Sequence, residues 1–420
     1  MTPPAYMHKA GAPCLCDACV YPMGTPSPSP VRRQNGRVHL LTSSRLATYQ
    51  RCPRAHHYRY EAGIVSRDRT SAALTFGTAI HKGLEAWWLT IQAGDPGRAL
   101  AGALEAAEAS LGHEADPYDL SRLLAMLCAY DARWQQWACG TEVLAVEVPF
   151  EYELVHPVTG SIAETWRVAG KIDALLRLAD GRVAILEHKT RTGDAGAGSD
   201  YRLRLTLDPQ ISTYFDGVAR LGWDAQLCIY DVLVKPALKP LQATPLERRE
   251  YTQPKSRACK ECKKAEAKRA PLPHVEDGVA CVDGRIVTDE GGKLSAKHRE
   301  YDETPEEYRD RLIQAIGADP DRYLVHAEIV RMEEQREGHA WALWHTARQI
   351  TETRRAALNS GDVRAVPQNS NACFAFGGSG CEYLSICEGT ASARDTTRFT
   401  KLATVHPELE CTAENTTEEG

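Results

Sequence analysis

The sequence predicts an α/β fold in which a central β-sheet is covered by helices on both faces. Three observations lead there. Residues 40 to 137 follow a helical pattern, the stretch from Thr141 to Thr190 reads as strands, and those strands are apolar on both sides. Ile172, Ala174, Leu176, Leu178, Val183, Ile185 and Leu186 leave no polar side to face water, as expected of central strands under helices.

The elements follow in order. Residues 1–38 are rich in Pro, and PMGTPSPSP reads as a flexible lead-in. Within it Cys14, Cys16 and Cys19, with His8, offer zinc three close thiols but no clear fourth ligand. Residues 39–140 form the helical part. In LTSSRLATYQRCPRAHHYRY, Ser43 can cap a short helix that Pro53 ends. AGALEAAEASLG and SRLLAMLCAYDARWQQW continue the pattern, interrupted by Asp116 and Pro117.

Residues 141–238 form the core, and its centre is GKIDALLRLADGRVAILEHKT, Gly170 to Thr190. Asp180-Gly181 between two apolar runs is a hairpin signal whose loop length decides which side chains meet. A two-residue loop would set Asp173 opposite His188 and turn Glu187 to the other face. A three-residue loop, Ala179 to Gly181 with Gly181 left-handed in a bulge, sets Asp173 opposite Glu187. Lys189, two residues on, then shares the face of Glu187. The bulged register is the one expected here. Two acids and a lysine on one buried face are either a structural ion pair or the means for metal-assisted phosphodiester chemistry.

In DPQISTYFDGVARLG, Asp208 can cap a helix, Pro209 suits its first turn and Gly222 its end; Gln210 and Tyr214 share one helical face. LCIYDVLVKPAL, Leu227 to Leu238, is a further strand. Residues 239–300 form a polar, basic insertion in which Cys259 and Cys262, with His274 and Cys281, offer a second zinc site; otherwise it is a solvent-exposed loop. Residues 301–393 hold C-terminal helices. One is capped by Thr304 with Glu306 and Glu307 in its first turn; another, GHAWALWHTARQITETRRAALNSG, has a basic last turn near Arg354 and Arg355. Residues 394–420 end in an acidic tail expected to be disordered.

Composition narrows the class. The chain has 420 residues, 43% of them hydrophobic, enough for a sizeable core. No run of about 18 apolar residues occurs and the start lacks a signal-peptide core, so a soluble, cytoplasmic protein without membrane contact is expected. Fourteen cysteines in a reducing compartment favour metal ligation or free thiols over disulfides. A net charge of -6 means that DNA binding requires a local positive groove, with Arg191, Arg202 and Arg204 beside the hairpin as candidates.

Asp173, then Glu187-His188-Lys189 on the next strand, followed by the Gln210 and Tyr214 helix, resembles the RecB-like branch of the PD-(D/E)xK nuclease superfamily. The resemblance extends upstream to GTAIHKGLEAWW, where His81 falls at that branch's metal-binding histidine, and to Glu147, where many members carry an acidic strand. It implies a restriction-endonuclease-like mixed sheet flanked by helices, with Mg or Mn held by His81, Asp173, Glu187 and the His188 backbone carbonyl. Lys189 would assist the attacking water, and the Gln210 and Tyr214 face would lean toward nucleic acid. Cys52 together with Cys373, Cys381 and Cys387 resembles the iron-sulfur members, AddB-type recombination nucleases and CRISPR-associated adaptation nucleases, and implies a structural 4Fe-4S cluster. Seven residues, including Gly377, Gly378 and Gly380, separate Cys373 from Cys381, where the family commonly has a closer pair.

The implied activity is exonuclease or end processing on single-stranded or frayed DNA in a bacterial or phage-infected cell, in recombination, repair, phage replication or CRISPR adaptation. No phosphate-loop motif is apparent, so ATP-driven unwinding would need a partner; the resemblance implies a helicase, recombinase or adaptation protein in that place. An inactive nuclease-fold DNA-binding module and an iron-sulfur redox sensor are the alternatives.

Overall fold

The structure, a computed structural model, describes residues 38–67, 72–245, 248, 251–252, 255–258, 274–276, 279–282, 285–288, 293–374 and 380–409. The chain opens with strand β1 (His39–Leu41), helix α1 (Ser43–Arg51) and the short α2 (Pro53–His56), which runs into a π-helical turn, His57–Glu61, and strand β2 (Ile64–Ser66). The cap of α1 is Thr42, not Ser43: Thr42 is extended and its hydroxyl accepts the Arg45 N–H. Pro53 ends α1 as expected, but it also occupies the first turn of α2.

Three long helices follow, α3 (Ala72–Gln92), α4 (Pro96–Leu111) and α5 (Pro117–Cys139). Strands β3 (Glu142–Val155), β4 (Ile162–Arg177) and β5 (Val183–Arg191) lead to α6 (Asp200–Thr206), α7 (Pro209–Arg220) and β6 (Ala225–Val234). Asp208 caps α7 through the Gln210 N–H, Pro209 sits in its first turn, and Gly222 takes φ +88° just past its end.

The insertion is not simply a loop. Its described parts are β7 (Tyr251–Thr252), β8 (Lys255–Ala258), β9 (His274–Glu276), β10 (Val279–Val282), β11 (Arg285–Thr288) and β12 (Lys293–Leu294). They pair as a four-stranded sheet, β8-β11-β10-β9, and a two-stranded one, β12-β7. Helices α8 (Pro305–Ala318) and α9 (Pro320–Tyr323) precede β13 (Leu324–Ile329) and the long α10 (Glu333–Ser360). Thr304 and Glu307 form a reciprocal capping box on α8. Helix α10 begins before the apolar pattern does and its last turn carries no basic residue, because Arg354 lies a turn earlier and pairs with Glu61 instead. Short helix α11 (Leu384–Cys387), strand β14 (Phe399–Lys401) and a 3-10 turn, Pro407–Leu409, complete the described chain.

The central sheet has the order β1-β4-β5-β6-β13, with β3 also paired to β4. It is mixed: β1 with β4 and β5 with β6 run parallel, the other pairs antiparallel. Helices α3 and α5 cover one face through Ile80, Leu84, Trp88, Leu123 and Tyr130 over Ala174, Leu176, Ala184 and Leu186, and α4 packs on those helices. Helix α7 covers the other through Ile211, Tyr214, Phe215 and Val218 over Ile172, Ile185 and Tyr230. Among the described residues no helix is long and apolar enough to cross a membrane.

The tail is a correction. From residue 394 it does not run free through residue 409: Phe399, Thr400 and Lys401 pair with Ser66, Val65 and Ile64, Phe399 is buried, and Thr42 donates to Glu408. One buried aromatic and a strand edge outweigh the acidic composition that suggested disorder.

Candidate active site

The hairpin adopts the bulged register. Leu178 N–H donates to Arg182 O, leaving Ala179, Asp180 and Gly181 as the loop with Gly181 at φ +87°, and Ala174, Leu175, Leu176 and Arg177 pair with Leu186, Ile185, Ala184 and Val183. The ladder then stops. On that edge β4 pairs with β1 up to Val168 and with β5 from Ala174 onward, so residues 169–173 have no strand partner there. Asp173 sits at the end of this opening, and in place of a ladder bond its Oδ2 accepts the His188 N–H at 2.7 Å. On the other edge Val146 pairs with Ala174 and Val148 with Ile172, which brings Glu147 beside Asp173. Among the described residues Glu147 is the non-glycine residue with positive φ, at 53°, a backbone state that commonly collects at functional sites.

Helix α7 reaches the opening from one face. Lys189 Nζ donates to Glu187 Oε1 at 2.5 Å and to Gln210 Oε1 at 2.9 Å, and Gln210 Nε2 donates to Tyr214 OH at 2.6 Å. The two residues expected on one helical face therefore brace the lysine in series. Burial pushes the Glu187 carboxyl up to about 8, with Asp173 adding to the rise and Lys189 opposing it. Burial would lower Lys189, but Glu187, Asp173 and Asp208 together hold its ammonium above the usual range, so it stays charged.

Helix α3 reaches it from the opposite face. His81 Nδ1 lies 3.8 Å from Asp173 Oδ2, half-exposed, and burial lowers its imidazole while Asp173 pulls the other way. The His188 side chain turns away from the acids, leaving its backbone as its contribution to them. Its Nδ1 lies 2.9 Å from Asp231 Oδ2, which also accepts from Tyr130 OH at 2.7 Å, while His326 Nε2 is 3.3 Å from Asp231 Oδ1. Asp231 is fully buried; burial alone would raise its carboxyl, yet His188 and His326 hold it well below the carboxylate range. Sequence reasoning passed over this network, although one acid inside the apolar run LCIYDVLV was a visible signal. It also passed over Lys171, which forms an ion pair with Glu147.

The donor set fits a hard divalent cation in kind. Glu187 Oε2 is buried with no hydrogen-bond partner, a carboxylate oxygen whose desolvation nothing repays. Among the described residues, however, no three His, Cys, Asp or Glu side chains stand close enough together to hold a metal ion. The other oxygen of Glu187, Oε1, is turned onto Lys189.

Of the four predicted cluster cysteines, Cys52, Cys381 and Cys387 pack in one apolar cluster and Cys373 is joined to Cys381 through the backbone, but no three of them stand close enough to hold a metal among the described residues. Cys52 and Cys373 are buried, Cys381 and Cys387 half-buried, all four thiols are free, and Cys52, Cys381 and Cys387 share one apolar cluster with Tyr58, Tyr383 and Phe399. Cys381 N–H donates to Cys373 O at 2.7 Å, and burial pushes the Cys381 and Cys387 thiols up. In the insertion His274 and Cys281 are register partners across β9 and β10. Cys259 and Cys262 lie outside the described residues, as do Cys14, Cys16, Cys19 and His8.

Comparison with known proteins adds three findings. No curated protein matches. A solved structure titled "Crystal structure of SSO0001" is similar at 17% identity over 37% of this chain and 61% of that one, with a TM-score of 0.17, too low to argue from. The family model of the PD-(D/E)XK nuclease superfamily matches residues 40–388, well over half of the chain, and spans every element that frames Asp173, Glu187 and Lys189. The chain belongs to the PD-(D/E)XK nuclease superfamily.

Proposed function

We propose that this protein is a metal-dependent DNA exonuclease or end-processing nuclease that carries a structural 4Fe-4S cluster. The observation behind this reading is the meeting of Asp173, Glu187 and Lys189 in a break of the sheet, reached by His81 from one face and Gln210 from the other. His81, Asp173, Glu187 and the His188 carbonyl would hold Mg or Mn, which when bound supplies a water nucleophile and offsets phosphate charge. Lys189, charged and braced by Gln210, orients that water or stabilises charge developing on the phosphate. The His188 N–H fixes one oxygen of Asp173, and Tyr214 fixes Gln210.

Cys52, Cys373, Cys381 and Cys387 are soft ligands of the kind iron-sulfur clusters take, and a cluster there would tie the N-terminal helices to the C-terminal segment. A zinc site at Cys259, Cys262, His274 and Cys281 belongs to the same proposal for the insertion. The substrate would be single-stranded or end-containing DNA in the cytoplasm, delivered by a helicase, recombinase or adaptation protein during recombination, repair, phage replication or CRISPR adaptation.

The test is digestion of labelled linear and end-blocked DNA with Mn or Mg by anaerobically purified wild type, Asp173→Ala and Lys189→Ala. Linear DNA should be degraded, blocked DNA spared, and both variants inactive. Variants as active as wild type would defeat the site assignment, and DNA bound but uncut by wild type would instead mark an inactive binding module. Iron and acid-labile sulfide should be present and lost in Cys52→Ser; zinc in their place would remove the cluster.

A further inference from the structure

We propose that Arg191, laid on Tyr201, binds a backbone phosphate next to the scissile one. The inference rests on the nuclease reading above and deepens it. Arg191 ends β5, two residues beyond Lys189 and four beyond Glu187, and so falls on their face of the strand. That spacing puts it about 6.6 Å from Lys189 along the strand, within one or two nucleotides of a phosphate held there.

Its guanidinium carbon lies 3.9 Å from the centre of the Tyr201 ring, which stands in the first turn of α6. Tyr201 in turn is close enough to Lys189, Asp208 and Glu187 for each to act on its hydroxyl, so the pair borders the acids and the lysine. Arg191 Nε donates to Thr192 O at 2.9 Å, whereas Nη1 is buried and has no hydrogen-bond partner. Among the described residues no carboxylate forms an ion pair with Arg191, although Arg177, Arg182, Arg311 and Arg336 are all paired.

A buried donor left unpaired is costly, and the cost persists only where something repays it. A phosphate suits this one. The guanidinium is a planar fork matched to two phosphate oxygens, and stacking on Tyr201 already holds its plane, so little freedom remains to be lost on binding. An opposing carboxylate would have satisfied the same nitrogen while repelling DNA, and the site has none there.

The experiment uses full-length wild type, Arg191→Gln and Arg191→Lys. Anisotropy of a labelled single-stranded oligonucleotide without divalent cation measures binding, and cleavage with Mn gives KM and kcat. Arg191→Gln should bind about tenfold more weakly, with KM rising more than kcat falls, and Arg191→Lys should lie between, since it keeps the charge and loses the fork. Oligonucleotides carrying one neutral methylphosphonate, moved stepwise from the scissile position, separate a phosphate contact from damage to the fold. Wild type should lose affinity at one or two positions, and Arg191→Gln should be indifferent at those same positions. If Arg191→Gln keeps the wild-type sensitivity at every position, the proposal is overturned even if its binding is weaker. Wild type that neither binds nor cuts DNA would overturn the nuclease reading itself, a different result from an active wild type with an unchanged Arg191 variant.

Discussion

Replacing Gly217 by alanine tests how α7, and with it Gln210 and Tyr214, is seated on the sheet. The Phe150 ring is held between Gly217 of α7 and Gly170 of β4, its register partner. A Cβ on Gly217 would stand 2.6 Å from Cγ and 2.7 and 2.8 Å from the two Cδ atoms, where ordinary carbon contacts need about 3.5 Å or more. The ring has little room to retreat, because its Cζ already fills the space a side chain on Gly170 would take, 2.4 Å from where that Cβ would stand, and Phe150 is buried. Helix α7 must therefore lift by roughly 1 Å. Overpacking of this kind costs up to about 3 kcal/mol, while alanine in a helix recovers about 1 kcal/mol over glycine, leaving a net loss near 2 kcal/mol. Urea unfolding followed by tryptophan fluorescence should show the lowered midpoint, and Phe150→Leu in the same chain should restore part of it. Gln210 lies seven residues up the helix, about 10 Å along its axis, so the same lift should loosen its bond to Lys189 and slow cleavage. A Gly217→Ala protein more stable than wild type, the outcome for an unconfined helical glycine, would refute the packing argument.

Two further perturbations read other parts of the fold. Arg45 Nε donates to His56 Nε2 at 3.0 Å, so that imidazole must be neutral in the fold, and burial followed by Arg45 pushes it down to about 2. The unfolded chain takes up a proton near pH 6.5 that the native state refuses; stability should therefore fall as pH drops below about 6.5, by up to about 1.4 kcal/mol per pH unit from this residue. The difference in urea stability between wild type and His56→Gln, measured from pH 7 to pH 5, isolates that slope, and a constant difference would contradict it. Phe399→Ala removes the buried anchor of β14 and should cost the docking of the tail about 3–5 kcal/mol, so that the tail opens while the body stays folded. Limited proteolysis should then cut the segment beyond residue 394 ahead of the core; cleavage at the wild-type rate would show that the anchor contributes little.

How much of this was legible in the sequence depends on range. The hairpin register was, because a turn residue with positive φ and strand alternation are local properties, and so were the Asp208 and Thr304 caps. The Thr42 cap was missed in favour of its neighbour Ser43, since both side chains have the chemistry and only the backbone angle at the helix start chooses between them. The strands of the insertion and the order of the tail were missed because their patterns are short and polar, and their pairing partners lie elsewhere in the chain.

By itself the sequence determined the α/β class, the helix on which Gln210 and Tyr214 stand, and the strand face that Glu187 shares with Lys189, because helical and strand periods map residue number directly onto direction. The tertiary structure decided the rest of the site. It parted β4 from β5 at Asp173, brought His81 through the opening, set Asp231 between two histidines behind the acids, and gathered Cys52 with cysteines more than three hundred residues away. Each of these depends on where two distant segments pack, and no periodicity within one segment encodes the position of another.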